Sequence, residues 1–119
     1  MRDGLQAAVV DPLTGLFNRR YAMSHLNRVV EAASKSGNPF AVMVADLDFF
    51  KQINDRYGHA AGDAVLVETS NRLRQNLRGV DLVARVGGEE FLIILPNTDL
   101  NQAFTTASRL CREVEAANV

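Results

Sequence analysis

Two short apolar runs, residues 80–85 and 90–95, flank Val86-Gly87-Gly88-Glu89, and no other stretch limits the fold as tightly. Gly-Gly between strand-like runs accepts the positive φ angles of a two-residue hairpin turn. With Gly87 and Gly88 as the loop, Arg85 faces Glu90 across the ladder, a favourable opposite-charge pair. Pro96 ends the second run. Asp99 with Gln102 three residues on predicts a capping box. The helix after it carries Leu100, Ala103, Phe104, Ala107, Leu110, Cys111 and Val114 on one stripe. On that stripe Cys111 reads as a small buried hydrophobe. Arg109 lies off the stripe, free to point outward.

Upstream, Asp11-Pro12-Leu13-Thr14-Gly15 breaks the chain, and residues 1–10 read as the stub of an incoming helix. A helix is predicted from about Asn18 to Ser36, with Ala22, Leu26, Val29, Val30 and Ala33 at helical spacing. Gly37 supplies its left-handed stop. Phe40 to Asp46 is a short apolar run and reads as a strand buried on both faces, central in a sheet. A short helix over Phe49 to Tyr57 is closed by Gly58. A longer one follows from about Ala61 to Leu77, with Asp63 in its first turn and Leu66, Leu73 and Leu77 inward. Few strands with helices long enough to cover them predict an α/β sandwich.

At 119 residues the chain makes one domain at most, and 47% apolar residues suffice for a core. A net charge of −1 argues against a general nucleic-acid binder, which would show a basic excess. No apolar run approaches the ~20 residues a bilayer span needs, so no membrane contact is expected. No leader-like segment opens the chain. A single cysteine forms no internal disulfide and suits a reducing compartment. A cytoplasmic location is therefore expected.

The acidic residues sit where chemistry is possible. Asp46 and Asp48 close the 40–46 run, and two apart they share a face while the strand lasts. Like charges there are costly unless a cation or hydrogen-bond donors offset them; solvated carboxylates at a strand end are the plainer reading. Glu89 and Glu90 follow glycines that let a ligand's phosphates approach the backbone. Converging carboxylates suit Mg²⁺ or Mn²⁺ and not Zn²⁺; charged flanks on an exposed turn are the alternative. Asp63 is equally placed to meet a helix macrodipole.

The segment Arg85-Val86-Gly87-Gly88-Glu89-Glu90-Phe91 resembles the signature hairpin of the GGDEF family, the diguanylate cyclases, in its GGEEF form. Four more segments resemble that family in the right order: Asp11-Pro12-Leu13-Thr14-Gly15-Leu16-Phe17-Asn18-Arg19-Arg20, Asp46-Leu47-Asp48-Phe49-Phe50-Lys51, Asn54-Asp55, and Gly58-His59-Ala60-Ala61-Gly62-Asp63.

The resemblance implies a sheet like that of nucleotidyl cyclases and polymerase palms, and condensation of two GTP into cyclic di-GMP. It implies that Asp46 and Glu89, with the Leu47 carbonyl, hold Mg²⁺ or Mn²⁺, that Glu89 assists deprotonation of the attacking hydroxyl, and that Glu90 supports the site. Amides near Phe49 and Phe50, with Lys51, would face the β- and γ-phosphates, beside Gly87 and Gly88. Asn54 and Asp63 would read guanine, whose N1–H and 2-amino donors a carboxylate accepts together. A related cyclase using another nucleotide is a weaker reading that Asp63 opposes. Arg78, Asp81 and Arg109 match an inhibitory site for the product, so a non-catalytic cyclic di-GMP receptor is the alternative reading.

The family acts as a homodimer, each subunit binding one GTP, under an upstream sensory or receiver domain. Residues 1–10 then correspond to the end of the incoming signalling helix, and 11–119 to the GGDEF domain. The family continues beyond this point with one more strand and helix, so an uncovered sheet edge is expected.

Overall fold

The structure, a computed structural model, describes residues 9–117. The helix expected over 1–10 falls on residues of which only Val9 and Val10 are described, in a turn and a bridge to Phe17. The elements run β1 (Phe17–Asn18), α1 (Arg19–Ser36), β2 (Ala41–Asp46), α2 (Phe50–Tyr57), α3 (His59–Gln75), β3 (Leu82–Arg85), β4 (Glu90–Leu95) and α4 (Leu100–Ala117). Both ends of α1 follow from its sequence. The Asn18 side chain accepts from the Tyr21 amide at 2.9 Å, and Gly37, at φ 77°, donates back to the Ala33 carbonyl. The capping box forms as expected: the Asp99 amide donates to Gln102 at 2.9 Å and the Gln102 amide to Asp99 at 2.8 Å.

The sheet is ordered β1-β3-β4-β2, with β1 parallel to β3 and the other pairs antiparallel. Its two faces carry separate cores. Leu66 and Leu73 of α3 and Ala103 and Leu110 of α4 pack on Val83, Phe91, Ile93 and Leu95. Ala22 of α1 packs on Leu82, Ala84, Leu92 and Ile94. Removing that much apolar surface from water is the main force holding the three layers together.

Four expectations change. First, among the described residues β2 is an edge strand; β4, buried at Phe91–Leu95, is central. α1 lies chiefly over β1 and β3, and Val42 and Val44 of β2 are exposed, Val44 at 67%. An apolar run alone does not distinguish an edge strand from a central one. Second, the hairpin loop is longer than two residues. Arg85 pairs with Phe91, not Glu90, and the Val86 and Gly87 amides both donate to the Glu90 carbonyl. Neither Gly87 nor Gly88 takes a positive φ. Third, Cys111 is exposed, and so is Phe104, at 66%. Both lie on the flank of α4 next to β2, the outermost strand among the described residues. Fourth, α3 starts at His59, so Asp63 lies past its first turn and out of reach of the strongest dipole. The two-residue β1 is too short to carry a period and escaped the sequence reading.

Candidate active site at the β2–β4 end

The β2–β4 ladder brings the acidic residues together. Its register places Asp46 directly opposite Glu90. One step further, the Leu47 amide donates to the Glu89 carbonyl at 3.2 Å, which ties the hairpin tip to the end of β2. Directly opposed carboxylates repel. Among the described residues, Asp46, Glu89 and Glu90 form no ion pair. No three Asp, Glu, His or Cys side chains among the described residues cluster tightly enough to cage a metal on their own. Gly87 contributes through its size: a Cβ there would fall on the Glu90 carboxylate, whereas Gly88 faces open space.

Between β2 and α2 the backbone takes an unusual path. Phe49, 71% exposed, sits at φ 62° in the left-handed region. A bulky residue there is strained by about 1–3 kcal/mol. The Phe49 carbonyl accepts from the Ile53 amide, and no side chain caps α2. The first amides of α2 thus lack the usual side-chain partner. Asp48 and Lys51 are exposed nearby in the sequence.

The α2–α3 corner turns on Gly58, at φ 90°. Behind it, Asn54 packs over buried Gly62, where any Cβ would strike the Asn54 amide. Asn54 is thereby set one residue from Asp63, which is exposed on α3. His59 is exposed at the start of α3. Under β2 lies a cavity of about 440 Å³ lined by Met43, Asp46, Thr69 and Cys111 among others. Among the described residues the Thr69 hydroxyl there is buried without a partner.

Arg78, Asp81 and Arg109 lie at the other end of β3 and are engaged. Arg78 binds Asp81 through Nε and NH2, the latter at 2.7 Å, and also donates to the Pro96 carbonyl and the Thr98 hydroxyl. The Asp81 side chain is 2% exposed and that of Arg78 52%. Hydrogen bonding to Asp81 raises the Arg78 pKa above its ordinary value, against a smaller opposing effect of burial. Arg109 is half-buried and donates to the Asn76 carbonyl at the α3 C-cap, at 2.8 Å. The expectation of a free, outward Arg109 is corrected: an unsatisfied helix-end carbonyl attracts a cation.

One contact escaped the sequence reading. Arg85 donates from Nε and NH2 to the Gly88 carbonyl at 3.1 and 2.8 Å, and from NH1 to both Asp11 oxygens at 3.3 Å. Burial tends to raise the Asp11 pKa. The Thr14 hydroxyl and amide and the Arg85 guanidinium outweigh it and hold the carboxyl below its ordinary value. The available signal was Asp11 with Thr14 three residues on, a spacing that closes a turn on itself.

Comparison with known proteins identifies the family. The family model described as "Diguanylate cyclase, GGDEF domain" matches residues 8–119. The response regulator PleD of Caulobacter vibrioides is 46% identical over 113 residues, 95% of this chain and 25% of PleD. Among solved structures, the diguanylate cyclase SiaD of Pseudomonas aeruginosa, in complex with its activator SiaC, superposes with a TM-score of 0.86 at 41% identity. That match covers 94% of this chain and 43% of SiaD. DgcB of Caulobacter crescentus, in complex with c-di-GMP, gives 0.86 at 29% identity over 92% of this chain and 57% of DgcB. The chain thus spans about a quarter of the length of PleD and under two thirds of either solved chain. With the hairpin, the acidic strand end and the helical corner all in place, and the family model matching almost end to end, this chain belongs to the GGDEF domain family of diguanylate cyclases.

Proposed function

We propose that this domain condenses two GTP molecules into cyclic di-GMP, two copies facing each other with one GTP each. The observation that carries the reading is the register of β2 against β4, which sets Asp46 opposite Glu90 with Glu89 at the tip. Opposed carboxylates without a cationic partner suit a divalent cation. Mg²⁺ commonly takes one or two carboxylates and completes its shell with water and substrate phosphates. The donor set therefore fits Mg²⁺ or Mn²⁺, held by Asp46, Glu89 and the Leu47 carbonyl. When bound, such an ion lowers the pKa of the 3′-hydroxyl and neutralises phosphate charge.

The protein's own groups do the rest. Glu89 accepts the proton of the 3′-hydroxyl as its oxygen bonds to the α-phosphorus and pyrophosphate leaves. Glu90, packed over Gly87, supports that arrangement. The uncapped amides at the start of α2, with Lys51, face the β- and γ-phosphates. Asp63 accepts from guanine N1–H and the 2-amino group, and Asn54, seated over Gly62, completes the base contacts. Adenine, lacking both donors, leaves Asp63 unpaired. Product inhibition is assigned to Arg78, Asp81 and Arg109. A guanine binding there competes with the contacts Arg78 makes to Pro96 and Thr98. An upstream input domain would act through the segment preceding Asp11.

The test is incubation with GTP and Mg²⁺ followed by chromatographic separation of nucleotides. Cyclic di-GMP and pyrophosphate are expected, and Glu89→Gln lowers their formation at least about 100-fold with the fold unchanged by circular dichroism. Absence of both products, with cyclic di-GMP still bound, would favour the receptor reading.

A further inference from the structure

The hairpin tip is a three-residue stretch, Gly87-Gly88-Glu89, with no apolar anchor. Two glycines make its ordering entropically costly. Its main-chain bonds lie at its base and flank: Val86 and Gly87 to Glu90, and Leu47 to Glu89. The Gly88 carbonyl is held instead by a side chain, Arg85, through two donors. The third arm of the same guanidinium grips Asp11, 74 residues away in sequence. Both side chains are largely buried, Arg85 at 19% and Asp11 at 18% exposure. Water competes weakly for such a charge-assisted contact.

Asp11 is itself fixed. It accepts from the Thr14 amide at 2.9 Å and the Thr14 hydroxyl at 2.7 Å. The turn around it is closed by Asp11 N–H to the Leu16 carbonyl, by Asn18 N–H to the Val9 carbonyl and by the Val10–Phe17 bridge. A displacement of the chain at Val9 therefore reaches Asp11 through hydrogen bonds, and Gly88 through Arg85.

We propose that Arg85 is a positioning residue, held by Asp11, that fixes the Gly88 carbonyl and with it the place of Glu89. The N-terminal turn and the reactive tip thereby form one mechanical unit. The consequence for turnover rests on the cyclase reading given above; the consequence for the tip's order does not. A misplacement of about 1 Å at a reacting group can cost as much as 100-fold in rate. A partial loosening should cost less.

The experiment compares the unmodified chain with Asp11→Asn, Asp11→Glu and Arg85→Lys. Asparagine keeps the acceptor for Thr14 and removes the charge that holds Arg85. Amide hydrogen exchange across 87–90 is expected to rise about tenfold in Asp11→Asn and Arg85→Lys, with Leu92–Ile94 unchanged. With GTP and Mg²⁺, kcat should fall about tenfold while KM stays within twofold, the mark of lost positioning and not of lost binding. Asp11→Glu should restore at least half of both. Unchanged tip exchange in Asp11→Asn overturns the proposal, as does a KM effect with kcat intact. If Arg85→Lys does not fold, Asp11→Asn decides. If the unmodified chain makes no product, the cyclase reading fails on its own and tip exchange alone decides the role of Arg85.

Discussion

The two ends of the β3–β4 hairpin treat charge in opposite ways. At the base, Arg78 and Asp81 satisfy each other, Arg78 also reaches Pro96 and Thr98, and Arg109 closes the end of α3. At the tip, Asp46 and Glu90 face each other without an ion pair. One end is finished by the protein's own groups; at the other, on the proposed reading, a divalent cation supplies the missing positive charge. A rigid brace and the proposed reactive centre thus share two strands. The comparison shows why charge content alone, with a net of −1, says so little about chemistry. What matters is which charges lack an internal partner.

The comparison is broken most directly at the base. Arg78→Ala leaves the Asp81 carboxylate, which is 2% exposed, with the residue-78 amide as donor at 2.8 Å but no guanidinium, and should cost about 2 kcal/mol in chemical denaturation. A loss below about 0.5 kcal/mol would mean the pair is an ordinary surface contact. The next largest effect lies at the tip. Gly87→Ala forces the Glu90 carboxylate aside and should lower turnover about tenfold. Gly88→Ala, facing open space at an ordinary φ, should leave the stability of the fold within about 0.5 kcal/mol.

A smaller effect tests the link between the tip and the N-terminal turn. Asp11 has a folded pKa below its ordinary value of 3.8. Its contribution to stability is therefore present above the unfolded value and is lost as pH falls through the folded one. Asp11→Asn should lower the thermal midpoint at neutral pH by about 4 °C. That gap should close as the pH drops below 3.8. A gap that persists in acid would assign the stability to packing. The smallest effect is a gain. Glu90→Gln relieves repulsion with Asp46 and should stabilise by up to about 0.5 kcal/mol while turnover falls. Loss of stability there would show that the tip, like the base, has an internal partner for its charge.

Much of this was legible in the sequence. Gly37, Asp99 and Gln102 act through near neighbours, so their caps formed as read, and α1 begins beside Asn18 as expected. The family motifs fell on the hairpin, the strand end and the α2–α3 corner, because each motif is itself a local piece of backbone. What was not legible depends on residues far apart in sequence. Val42 and Val44 look like core until the path of α1 over β1 and β3 is known. Cys111 follows the helical stripe, but a stripe does not say how far the sheet beneath it extends. Arg85 had a plausible partner in Glu90. The additional residue in the turn shifted the register and turned it to Gly88 and Asp11. Arg109 was read from its place on a helical wheel, which leaves out the α3 carbonyl waiting beside it.

The long-range nature of the site also sets an order of events in folding. The β3–β4 hairpin is a local structure that an isolated chain can form quickly. Facing Asp46 with Glu90, and Asp11 with Arg85 across 74 residues, requires closing much longer loops, which is slow and entropically costly. The tip that the proposed reaction uses is therefore shaped early but armed late. By the same reasoning, partial unfolding should disarm it first, while the hairpin that carries Glu89 is still standing.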